Sequence, residues 1–170
     1  DYDGLKNMIL RAKIDVSGKK ALILGTGGAA RTAALVLKHL GAREIHLVSR
    51  SKIGGVISYD DMYSSHSDAE IIINATPVGM FPNSYASPID VSKFHKLSAL
   101  FDAVYNPNET GLLKEAIKAG ANSIYFGIGK LNMRSHSANA CAGSKRPFLI
   151  VPRCKPGRIT VKPDRSGQSP

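Results

Sequence analysis

The chain has no tryptophan, only two cysteines and few aromatic residues, 6% of the total. Cys141 and Cys154 alone cannot supply a disulfide framework or a four-cysteine zinc site, so we expect incidental thiols and no metal centre. No stretch approaches the roughly 20 consecutive apolar residues that span a bilayer. The first residues also lack the basic-then-apolar order of a secretory signal. A soluble, cytoplasmic protein without a membrane partner is the expectation. Acidic residues are scarce as well, 13 against 23 Lys and Arg, giving a net charge of +10. That excess is concentrated: residues 131 to 170 carry eight basic residues against Asp164 alone, +7, whereas the first 130 carry only +3. Phe148 is the tail's single aromatic and no nucleic-acid motif accompanies it, which argues against nucleic acid as a partner.

With 170 residues and 43% hydrophobic composition, the chain is sized for one domain with a full core. Residues 3 to 13 place Leu5, Met8, Ile9 and Leu10 at helical spacing. The run from Lys20 to Leu24 reads as a buried strand, and Gly28 to about Leu40 as a helix closed by Gly41. Glu44 to Ser49 is a second strand, Ser58 to His66 a weak helix, and Glu70 to Asn74 a third strand. Leu97 to Tyr105, Glu109 to Ala119 and Ser123 to Phe126 continue as strand, helix and strand. This alternation predicts a doubly wound, Rossmann-type α/β fold, its mostly parallel sheet covered by helices on both faces. The domain is expected over residues 1–131. Residues 132–170 read as a basic tail, irregular or foreign to the fold, in which Phe148 to Val151 is the one short run able to form an edge strand.

Gly25-Thr26-Gly27-Gly28-Ala29-Ala30 fits G-x-G-x-x-G/A directly after a strand and at the start of a helix, the context that gives this motif its meaning. Gly25 permits the tight turn, Gly27 lets backbone approach a pyrophosphate, and Ala30 keeps helix and sheet close. The helix start offers free N–H groups to phosphate. The second strand ends Ser49-Arg50-Ser51-Lys52, with no acid there to accept from a ribose 2′-hydroxyl. Arg50 can fork onto a 2′-phosphate, Ser49 and Ser51 can donate to it, and Lys52 adds charge, so NADP is expected over NAD. The plain structural reading of Arg50 and Lys52 is a pair of solvated loop charges.

Four further stretches resemble shikimate dehydrogenases. Asp1-Tyr2-Asp3-Gly4-Leu5 looks like part of that family's N-T-D-x-x-G-F segment, and Ser49-Arg50-Ser51 resembles N-R-T with two replacements. Asn74-Ala75-Thr76-Pro77-Val78-Gly79-Met80 with Pro82 matches N-A-T-x-x-G-M-x-P. Asp102 to Pro107 with Thr110, Leu112 and Leu113 matches D-x-x-Y-x-P-x-x-T-x-L-L. The resemblance implies NADPH-dependent reduction of 3-dehydroshikimate to shikimate, a step of aromatic amino-acid biosynthesis. It also implies roles by position. Gly25, Thr26, Gly27, Gly28 and Ala29 line the pyrophosphate, and Ser49, Arg50, Ser51 and Lys52 hold the adenosine phosphate. Thr76 and Val78 border the nicotinamide side, Ala103 and Gly127 approach the ring, Tyr105 faces substrate, and Asp1 matches the Asp of a catalytic Lys–Asp pair. Asn74 and Thr76 have a plainer reading as satisfiers of backbone groups at a strand end, Tyr105 as a half-buried core aromatic, and Gly127 as an ordinary turn.

Departures from the family pattern bear on activity. The N-terminal substrate domain, with its catalytic Lys, has no counterpart here, so the expectation is a fragment of a longer protein. Lys130 stands where the family's G-x-G-M-L has Met, and Arg134 where a substrate-contacting Gln is expected. A shifted reading frame, a fusion junction or a gene-prediction error would account for the tail. A quinate-using relative and a non-catalytic NADP-binding module are the competing readings.

Overall fold

The computed structural model describes residues 2–51, 54–107, 109–125 and 132–134, with backbone alone for 122–125 and 132–134. Five strands run parallel: β1 (Lys20–Leu24), β2 (Glu44–Val48), β3 (Ile71–Asn74), β4 (Ala99–Asp102) and β5 (Asn122–Tyr125). A short antiparallel strand, β6 (Asn132–Arg134), completes the order β2-β1-β3-β4-β5-β6. The helices are α1 (Tyr2–Arg11), α2 (Gly28–His39), α3 (Tyr59–Ser65) and α4 (Gly111–Lys118), with a 3-10 turn at Val91–Lys93.

Alternation along each strand divides the core between the two faces of the sheet. Ala21, Ile23, Ile71, Ile73, Ala99 and Phe101 point to one side, where Leu5, Ile9, Ala30, Ala33, Val36 and Leu37 of α1 and α2 meet them. Leu22, Leu24, Val48, Ile72 and Leu100 point to the other, against Met62, Val91, Phe94, Leu112, Leu113 and Ala116. Both faces of the central strands are therefore dry, which is why they read as continuous apolar runs. The expected doubly wound sheet is what forms.

Helix ends follow local chemistry. Ser58 caps α3 in a reciprocal box: its hydroxyl accepts from the Asp61 N–H at 3.1 Å, while the Asp61 carboxylate accepts from the Ser58 N–H at 3.2 Å. Thr110 caps α4 by accepting from the Leu113 N–H at 3.3 Å. Gly41 follows α2 with φ of +85°, the left-handed backbone expected of a helix-terminating glycine.

Three elements differ from the sequence reading, the first being β4, which is confined to Ala99–Asp102 within the expected Leu97 to Tyr105. Glu109 and Thr110 lie before α4, because the Thr110 side chain serves the helix better as a cap than within it. Asn132–Arg134 pairs with β5, although a segment of Asn, Met and Arg shows too little alternation to announce a strand. Phe148 to Val151, the two cysteines and the remainder of the tail lie outside the described residues.

Candidate functional site

The loops that follow β1, β2, β3 and β4 all open at the carboxyl edge of the sheet. β1 is flanked by β2 on one side and β3 on the other, so the chain's direction of winding reverses at its end. Open α/β sheets bind ligands at such a switch point. The glycine turn sits there.

Gly25 adopts φ of +106°, and a Cβ on it would lie 3.0 Å from the Ala75 carbonyl oxygen of the loop after β3. Its N–H donates to the Val48 carbonyl at 2.8 Å, and the Ala75 N–H donates to the Leu24 carbonyl at 2.9 Å. Three strand ends are thus laced together around one residue that only glycine fits. Gly27 and Gly28 differ from it: neither has positive φ, and a Cβ on either would meet nothing within 4 Å. Among the described residues, no protein atom demands glycine at those two positions. Gly27 is also the N-cap of α2 and supplies no side-chain bond to it, while Thr26, Gly27, Gly28 and Ala29 are exposed. Unmet N–H groups at the helix start therefore face open space that a side chain there would partly fill, a fit for phosphate.

After β2, the Ser49 N–H donates to the Ile57 carbonyl at 3.0 Å, and the Ser51 N–H donates to the Ser49 hydroxyl at 3.3 Å. Arg50 and Ser51 are exposed, and Ser49 is half-buried. Burial raises the Tyr59 hydroxyl pKa, an effect partly offset by the Arg50 guanidinium that faces it. The basic end of β2 is therefore an open cationic rim beside the glycine turn. Lys52 lies outside the described residues, as do Asp1 and Gly127.

The ends of β3 and β4 are held by a buried polar network that the sequence reading did not single out. Asp102 and Asn74 are fully buried, and so is Thr110. The Asp102 carboxylate accepts from the Asn74 amide at 2.9 Å, the Val104 N–H at 3.0 Å and the Thr110 hydroxyl at 2.6 Å. Burial raises the Asp102 pKa, against the lowering effect of those three donors, Thr110 foremost. Asn74 in turn accepts from the Thr76 N–H at 3.0 Å and the Thr76 hydroxyl at 2.6 Å, and donates to the Val78 carbonyl at 3.3 Å. The plain structural reading of Asn74 is what the geometry shows. Thr76 and Val78 are thereby fixed in one loop, and Ala103 and exposed Tyr105 in the next. The Phe81 N–H donates to the Asn106 carbonyl at 3.1 Å and joins the two loops. The available signal was an acid closing the apolar strand Ala99-Leu100-Phe101-Asp102, since such a residue survives burial only with partners.

A doubly wound domain with an uncapped, glycine-rich helix start at its switch point and exposed Arg50 beside it has the layout of the dinucleotide-binding class of α/β domains. No family model matches the sequence. The shikimate dehydrogenase (NADP(+)) of Clostridium perfringens is 35% identical over 134 residues, covering 73% of this chain and 49% of that protein. Among solved structures, shikimate dehydrogenase 1 from Peptoclostridium difficile is 35% identical with a TM-score of 0.65, covering 73% of this chain and 48% of that one. A chorismate mutase/shikimate 5-dehydrogenase fusion protein from Clostridium acetobutylicum is 34% identical with a TM-score of 0.66, covering 73% of this chain and 48% of that one. The chain belongs to the shikimate dehydrogenase family and spans about half the length of the relatives it matches.

Proposed function

We propose that this chain is the NADP-binding part of an enzyme that reduces 3-dehydroshikimate to shikimate, and that it holds cofactor without turnover on its own. The observation that carries the reading is the pair Gly27 and Gly28, glycines no protein neighbour requires, at an uncapped helix start beside a strand end with exposed Arg50 and no carboxylate. NADPH, when bound, supplies the hydride that the substrate ketone accepts. The chain's own residues do the holding. The turn from Gly25 to Ala29 receives the pyrophosphate through the N–H groups that follow Gly25, whose own N–H is held by the Val48 carbonyl, and Arg50 with Ser49, Ser51 and Lys52 grips the 2′-phosphate. Thr76, Val78, Ala103 and Gly127 border the nicotinamide, with the Asp102 network keeping the loops that carry the first three at a fixed separation. Tyr105 faces substrate, and Asp1 supplies one half of an acid–base pair whose lysine partner belongs to a substrate domain beyond these residues. The protein works in the cytoplasm.

Titrating the purified chain with NADP and NAD tests the reading. NADP binds more tightly, and Arg50→Ala removes about 2 kcal/mol of that advantage, the value of a charge-assisted contact, or roughly thirtyfold in affinity. Binding of neither cofactor, or a preference for NAD, overturns the assignment. Oxidation of NADPH by the isolated chain with 3-dehydroshikimate overturns its inactivity alone.

A further inference from the structure

A second polar cluster lies at the opposite, amino-terminal edge of the sheet. Glu44 and His46 are two residues apart on β2 and so share the face that α3 covers. His66, the C-cap of α3, meets them there. Glu44 Oε1 is 2.6 Å from His46 Nε2 and 3.9 Å from His66 Nδ1, and the three ligating atoms all lie within 4.8 Å of one another. The two imidazole rings are 4.1 Å apart. His66 Nδ1 is the one buried side-chain polar atom among the described residues with no hydrogen-bond partner. A nitrogen so placed costs about 1–3 kcal/mol unless something outside the protein satisfies it.

We infer that Glu44, His46 and His66 form a site for a divalent transition ion of the zinc type, separate from the nucleotide cradle. Two imidazole nitrogens and one carboxylate oxygen are a borderline donor set that suits zinc, with a fourth position left to water. Tetrahedral zinc with bonds near 2.0–2.1 Å needs its ligating atoms roughly 3.3 Å apart. The 2.6 and 3.9 Å separations lie on either side of that value. Lys20 is the competing cation, yet its ammonium is 2.8 Å from Asp68 and 3.8 Å from Glu44, so its close partner is Asp68. The carboxylates of Glu44 and Asp68 outnumber the Lys20 ammonium beside them, which favours a divalent ion. Bound metal ties the start of β2 to the end of α3.

The test is titration of the full chain with zinc by calorimetry and with cobalt(II) by absorption spectroscopy, alongside His66→Asn, His46→Asn and a Cys141→Ser/Cys154→Ser variant. The cobalt arm separates this site from tail thiols, because thiolate ligands give an intense charge-transfer band. One ion binds per chain, without a thiolate band and unaffected by the cysteine changes. Either histidine change weakens binding at least about tenfold, as loss of a ligand should. NADP affinity, measured on the same samples, reports that the variants are folded and leaves the cofactor reading independent of this one. Unaltered metal affinity in both histidine variants, loss of binding with the cysteines, or no binding by the parent chain overturns the site.

Discussion

Removing the Asp102 carboxylate is the most direct probe of how the carboxyl edge of the sheet is built. In Asp102→Ala, the Val104 N–H and the Thr110 hydroxyl lose the acceptors they have at 3.0 and 2.6 Å. The Asn74 amide retains the Val78 carbonyl at 3.3 Å. Two buried donors without partners cost about 1–3 kcal/mol each, and the vacated volume adds to that, giving a loss of about 3–6 kcal/mol. Against the 5–15 kcal/mol typical of whole domains, this is a large fraction. Asp102→Asn keeps an acceptor toward Asn74 and Val104 and offers an N–H to the Thr110 oxygen, so its cost is only about 1–2 kcal/mol. Urea unfolding of the full chain, followed by far-ultraviolet circular dichroism, measures both. A loss below about 1 kcal/mol for Asp102→Ala at unchanged slope would refute the reasoning. The same pair tests the ionisation. Burial raises the Asp102 pKa above its ordinary 3.8, so between that value and its folded pKa the native state binds more protons than the unfolded chain. Its contribution is complete below 3.8 and is lost as pH rises through the folded pKa. The stability gap between the parent and Asp102→Asn accordingly narrows with rising pH across that window. A gap that widens contradicts the burial argument.

Further substitutions address the backbone contacts. Gly111→Ala places a Cβ 2.6 Å from the Tyr85 carbonyl oxygen, so backbone must shift, at a cost of about 1–3 kcal/mol; thermal melting should fall, and an unchanged or higher midpoint counts against that close approach. Gly25→Ala combines φ of +106° with a 3.0 Å contact to the Ala75 carbonyl oxygen, so both stability and NADP affinity drop; undiminished cofactor binding by calorimetry would remove the turn from the site. Ser58→Ala breaks the capping box of α3 and costs about 1 kcal/mol in urea unfolding without altering the cofactor preference.

Much of this protein was determined by sequence alone. Parallel strands buried on both faces must be apolar throughout, so Lys20 to Leu24 and Ile71 to Asn74 announced themselves, and a glycine turn between strand and helix has few other uses. The exposed end of β2 at Arg50 was equally legible, because a charged residue straight after a strand belongs to a solvated turn. Tertiary structure decided what depends on distant partners. Nothing local reveals that Asp102, Asn74 and Thr110 meet in one buried network across 28 and 8 residues. Nor does spacing bring His66 of one helix end to Glu44 and His46 of an edge strand. The physical reason is common to both cases. Strand register and helix packing set these distances, and a polar side chain's partners exist only once the sheet has formed.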